Sequence, residues 1–76
     1  MRKHELKRKL MENSVPEDMY SLEGGLPNEA YCLNREGSLW EVYYSERGIK
    51  TGIRHFESEE QACDYLYELI IDALPN

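Results

Sequence analysis

The segment 58–74 has the clearest pattern in this 76-residue chain and predicts a helix that needs a sheet to cover. Ser58 and Gln61 have the spacing of a capping box, in which the serine hydroxyl accepts from the Gln61 amide and the glutamine side chain reaches back. Apolar residues recur at helical spacing along one face, at Ala62, Leu66, Leu69, Ile70 and Ala73. Pro75 ends the pattern.

The segment 29–56 changes to the pattern of β-strands separated by short turns. Residues 30–33, 39–44 and 50–56 are rich in aromatic and β-branched side chains, which favour strands. Turn residues lie between them at 34–38 and 45–48. Because both connections are short, we expect an antiparallel three-stranded meander.

Side chains alternate across the strand at 39–44. The alternation puts Trp40, Val42 and Tyr44 on one face, and Leu39, Glu41 and Tyr43 on the other. Because a glutamate resists burial, we expect the Trp40 face to pack on the core and Tyr43 to lie on the outer face.

The segment 1–13 consists of good helix formers and predicts a short basic helix. Two prolines and two glycines interrupt residues 14–28, which are therefore expected to form a loop. The whole chain, 1–76, is interpreted as a single α+β domain with two layers and the order α-β-β-β-α. Its sheet, within 29–56, packs on the C-terminal helix at 58–74.

Charge is divided unevenly along the chain, whose net charge is −6. Residues 1–13 carry five basic and two acidic side chains, whereas the remaining residues carry four basic and thirteen acidic ones. An acidic body repels phosphate and attracts basic partners. A nucleic-acid binder that uses the basic helix and the aromatic strand remains an alternative, which the acidic body disfavours.

Motifs for chemistry are missing from the sequence. Cys32 and Cys63 are far apart and flanked by apolar residues, so each is expected to be a small buried hydrophobe. We find no spacing typical of metal ligands and no nucleophile or phosphate-loop motif, so we expect no metal, no cofactor and no enzyme. The charged start and the lack of a long apolar run predict a cytoplasmic protein without a membrane role.

An acidic row on the C-terminal helix is the strongest candidate for a functional feature. Carboxylates recur every four residues with no basic side chain among them, at Glu60, Asp64, Glu68 and Asp72. Like charges at this spacing are neighbours and destabilise a helix slightly. Tyr67 and Ile71 fall beside the row. An acidic strip with an aromatic anchor suits a basic protein partner.

Two segments resemble small bacterial immunity proteins encoded beside polymorphic or contact-dependent toxins. The first, 40–48, has the pattern W-x-V-Y-Y-x-E-R-G, and the second, 56–65, has F-x-S-E-x-x-A-C-x-Y. The resemblance covers about residues 30–72 and none of 1–28. It implies a small cytosolic protein that neutralises a toxin by occluding its active site or an adjoining surface, and many such toxins are nucleases with basic clefts.

The sequence therefore predicts an immunity protein that binds a cognate, basic toxin without catalysis. The candidate contact residues are Glu60, Asp64, Tyr67, Glu68 and Ile71 of the helix, with Glu46 and Arg47 of a turn. Two alternatives stay open for this surface. The row is a solvated face whose apolar neighbours are covered by the N-terminal helix, or it is the contact of a homodimeric structural or regulatory module.

Overall fold

The computed structural model describes residues 1–75 and has two helices on one side of a four-stranded sheet; Asn76 lies outside the described residues. The elements follow in the order α1 (Lys3–Glu12), a 3-10 turn (Glu17–Met19), β1 (Tyr20–Ser21), β2 (Ala30–Glu36), β3 (Leu39–Glu46), β4 (Ile49–Phe56) and α2 (Glu59–Ala73). The predicted small α+β domain is confirmed, with one strand more than expected.

The sheet has the strand order β1-β2-β3-β4. Strands β2, β3 and β4 form the predicted antiparallel meander. Two-residue turns join them, and both residues of the second turn, Arg47 and Gly48, have positive φ, as a type I′ hairpin turn requires. The prediction that 14–28 is entirely loop was wrong, because Tyr20 and Ser21 pair in parallel with β2.

The core lies between the sheet and the helices. Nine buried residues form it, with contributions from both helices and two strands: Leu6, Leu10, Val15, Leu33, Val42, Ala62, Cys63, Leu66 and Ile70.

Ser58 caps α2 as predicted, since its Oγ accepts from the Gln61 N–H at 3.1 Å. The return bond from the Gln61 side chain is not formed, so only half of the predicted capping box is present.

The outer face of the sheet, which points away from the helices, is covered in part, whereas β4 is largely exposed. Glu41 and Tyr43 were expected to be exposed there, and that expectation was wrong: they are 6% and 1% exposed. The chain after β1 crosses this face, where the Tyr43 hydroxyl donates to the Gly25 carbonyl at 2.5 Å and the Ser45 hydroxyl to that of Pro27 at 2.7 Å. A loop thus supplies the cover that a second layer would otherwise provide.

Gly24 allows this crossing to be close. Its φ is +73°, and a Cβ built at this position would lie 2.5 Å from Oδ1 of Asn34. Only glycine adopts such a conformation without strain and leaves this space free. The two consecutive glycines, interpreted from the sequence as a loop signal, therefore also fix the loop against the sheet.

Replacement of Leu6 by alanine is predicted to destabilise the whole domain by about 2–4 kcal/mol, because it opens a cavity in a fully buried site. Urea denaturation followed by circular dichroism measures this loss. The matched control is Met11→Ala on the same helix, where the side chain is 57% exposed and the expected change is within about 0.5 kcal/mol. A loss below about 1 kcal/mol for Leu6→Ala would mean that α1 is not part of the core.

Candidate interaction surface

The acidic row of α2 lies on the side of the helix that faces away from the sheet. Its members, Glu60, Asp64, Glu68 and Asp72, are all exposed, whereas Ala62, Leu66 and Ile70 face the core. At 1.5 Å per residue, the row is about 18 Å long. We call these four residues the acidic strip.

Helix α1 packs beside α2 and runs in the same direction. At one end, the Lys3 N–H donates to Oε2 of Glu59 at 2.7 Å. At the other end, the Lys9 ammonium lies 5.5 Å from the centre of the Tyr67 ring, and Nδ2 of Asn13 donates to the Tyr67 hydroxyl at 3.2 Å. The N-terminal helix therefore lies against one flank of the candidate surface.

This packing changes the role of three predicted contact residues. Asp64 accepts a 2.6 Å hydrogen bond from the Met1 amine, and this bond raises the pKa of the amine above its usual value. Tyr67 and Ile71 are half-buried and pack against the core. Tyr67, which Lys9 and Asn13 contact, matches the alternative in which the N-terminal helix covers the apolar neighbours of the row.

The other predicted contacts retain free charges. Glu60 and Glu68 are in no ion pair within residues 1–75, and neither is Asp72, which belongs to the row but not to the predicted contacts. Glu46 and Arg47 are exposed at the β3–β4 turn, on a different element from the strip. The structure thus brings together the carboxylates of α2 as one surface and does not join the turn to them through any hydrogen bond or ion pair within the described residues.

Basic side chains occupy the outward side of α1. His4, Lys7 and Arg8 are exposed and form no ion pair within residues 1–75. The helical layer consequently has a basic half, α1, and an acidic half, α2. This division reproduces in space the uneven charge of the sequence.

A cleft of about 510 Å³ lies between the start of α1 and the chain around β1. Its charged groups largely neutralise one another, since Lys3 pairs with Glu23 at 2.9 Å and Arg2 with Glu59 at 3.6 Å. The Tyr20 hydroxyl is buried near it without a hydrogen-bond partner in the described structure. Because the lining is balanced in charge, the cleft has no strong preference for either sign of ligand.

Glu41 is a buried charged residue that the sequence did not predict. Its carboxylate accepts from Nζ of Lys50 at 2.9 Å and from Nδ2 of Asn34 at 3.1 Å, and Nε2 of His55 lies 3.5 Å away. Burial raises the pKa of Glu41, but the hydrogen bonds from Lys50 and Asn34 outweigh burial and leave this pKa below its usual value. The cluster joins β2, β3 and β4, which suggests a structural role.

Both cysteines are buried and free, as predicted. Burial raises the pKa of the Cys63 thiol to about 11 and also raises that of Cys32.

Within residues 1–75, no three potential metal-ligating side chains come together. The helices of this same part of the chain are too short and too polar to cross a bilayer.

Comparison with known proteins identifies no relative. No protein family matches the sequence, and neither the curated proteins nor the solved structures contain a match. The function has to be argued from the surfaces of the molecule.

The variant Lys50→Met is predicted to lose about 1–3 kcal/mol of stability, because it leaves the buried Glu41 carboxylate without its cation. Urea denaturation measures the loss. The control Lys7→Met removes an exposed lysine and is expected to change stability by about 0.5 kcal/mol or less. Equal effects of the two substitutions would contradict a structural role for the Glu41–Lys50 pair.

The pH dependence of stability should also depend on Glu41. Since its pKa is lower in the folded protein than the usual 4.5, the carboxylate stabilises the fold above about pH 4.5, and this contribution disappears as the pH falls through the folded pKa. The advantage of the wild type over Glu41→Gln should therefore narrow on acidification. Denaturation curves for both proteins at about pH 7 and about pH 3 test this, and a constant difference would refute it.

Proposed function

We propose that this protein is a cytoplasmic immunity protein that binds a basic toxin domain and blocks it sterically. Binding is stoichiometric, and neither catalysis nor a cofactor takes part. The acidic strip is the contact surface, and the exposed Glu46 and Arg47 of the β3–β4 turn are a second candidate contact. Two observations support this proposal: residues 30–72 resemble immunity proteins, and the acidic strip gives the surface of α2 a negative charge.

The observation that carries the proposal is the unpaired charge of the acidic strip. Three of its four carboxylates have no cationic partner within residues 1–75, although α1 supplies lysines and arginines only one helix away. Like charges in consecutive turns destabilise a helix by a few tenths of a kcal/mol per pair. A strip that keeps this unfavourable arrangement exposed is well suited to attract a basic protein.

Rigidity favours the same use of the strip. The side of α2 opposite the strip is held by Leu66 and Ile70, which are fully buried. The four carboxylates are therefore preorganised, and a partner does not have to order the backbone that carries them. Electrostatic attraction between the strip and a basic partner would accelerate their encounter.

Co-purification tests the proposal directly. The protein is tagged and expressed with the product of the gene immediately upstream of its own. A stable one-to-one complex supports the proposal. A well-folded protein that forms no complex with a toxin-like neighbour would overturn it.

Glu68→Lys is predicted to weaken that complex about tenfold, mainly through slower association, and to reduce the dependence of association on salt. Stopped-flow mixing at two ionic strengths measures both effects. The matched control is Glu36→Lys, which makes the same change of charge at an exposed site at the end of β2. Identical association rates for the two variants would mean that the strip is not the interface.

A further inference from the structure

The two halves of the helical layer have opposite charge, and several of their exposed charged side chains form no ion pair within residues 1–75. His4, Lys7 and Arg8 project from α1, while Glu68 and Asp72 project from α2, and all five are exposed. None forms an ion pair in the described part of the chain. A surface that contains both members of a complementary pair can bind a second copy of itself.

We propose that two copies of the chain dock through their helical layers, with α1 of each copy on the acidic strip of the other. The contact is isologous, because the same patch is used on both copies. In this dimer the strip is occupied until a more basic partner displaces the second copy.

The direction of the helices determines which two-fold axis is possible. Since α1 and α2 run side by side in the same direction, an axis parallel to them places α1 of one copy opposite α2 of the other. An axis in the interface plane and perpendicular to the helices would place α1 on α1 and α2 on α2. Only the parallel axis brings opposite charges together.

The same axis sets the register of the contact. A two-fold rotation about it leaves positions along the helices unchanged. Within one chain, Lys3 contacts Glu59 and Lys9 contacts Tyr67. Arg8 therefore falls level with residues 64–66 of the second copy, within about one helical turn of Glu68.

The helical face is large enough for a stable contact. The Cα trace extends 34 × 29 × 17 Å along its principal axes. The shortest of these extents is consistent with the thickness of one helical layer packed on one sheet. A standard interface needs about 800 Å² per partner, which such a face can supply. Met11, which is 57% exposed on α1, adds an apolar contact among the charges.

The dimer would regulate access to the acidic strip. This consequence rests on the proposed function, because it requires that a toxin use the same strip. The dimer itself does not rest on it, so the experiment measures self-association with no toxin present. Failure of either proposal is therefore distinguishable from failure of the other.

Sedimentation equilibrium of the full chain at about 0.02 M and about 0.5 M salt tests the dimer. The wild type is expected to dimerise at roughly 100 μM in low salt and to dissociate at least tenfold more readily in high salt. Two charge-reversed variants, Lys7→Glu/Arg8→Glu and Glu68→Lys/Asp72→Lys, should each be monomeric. The control Glu36→Lys should dimerise like the wild type.

An equimolar mixture of the two charge-reversed variants provides the decisive measurement. In the mixed dimer, the reversed α1 of one variant meets the reversed α2 of the other, and the two unchanged faces meet each other. Both contacts join opposite charges, so the mixture is expected to form a heterodimer with affinity close to that of the wild type. Circular dichroism establishes that both variants fold. A monomeric wild type in low salt, or folded variants that fail to associate when mixed, would overturn the proposal.

Discussion

The burial of two leucines of α1 fixes this basic helix beside the acidic helix α2. Leu6 and Leu10 have no exposed surface and lie in the same core cluster as Leu66 and Ile70 of α2. Burial of such side chains contributes roughly 1.5–3 kcal/mol each, more than an exposed ion pair supplies. Apolar packing, rather than attraction between the charged faces, therefore fixes a basic helix beside an acidic one and leaves most of their charges available to other molecules.

A second constraint is the coverage of a small sheet on both faces. The helices cover one face, and the loop through Gly24, Gly25 and Pro27 covers part of the other, with hydrogen bonds from Tyr43 and Ser45. Burial of Glu41 beneath this arrangement is tolerated because Lys50 and Asn34 bind its carboxylate. The outer face is thus covered only in part, and most of β4 remains exposed. The helical layer, by contrast, separates a basic α1 from an acidic α2.

Local signals predicted most of the fold. The cap at Ser58, the helical spacing of the apolar residues that follow and the two short turns were sufficient for α2 and the meander. Strand β1 was missed because its two residues have no periodicity and pair with residues of β2 that lie eleven positions later in the chain. The burial of Glu41 was missed because Asn34, Lys50 and His55 come from two other strands, and their approach depends on tertiary pairing.

The candidate surface was predictable to a similar extent. Helical spacing alone showed that the four carboxylates share a face, but periodicity does not reveal which element packs beside them. The partial cover of Tyr67 by α1 was therefore an open alternative until the packing of the helices was known.

The most direct test of an immunity function is growth of cells that express the upstream gene product. Co-expression of this protein should restore growth, and the rescue should weaken for Glu68→Lys but not for Glu36→Lys. Growth that stays arrested despite abundant folded protein would contradict an immunity function.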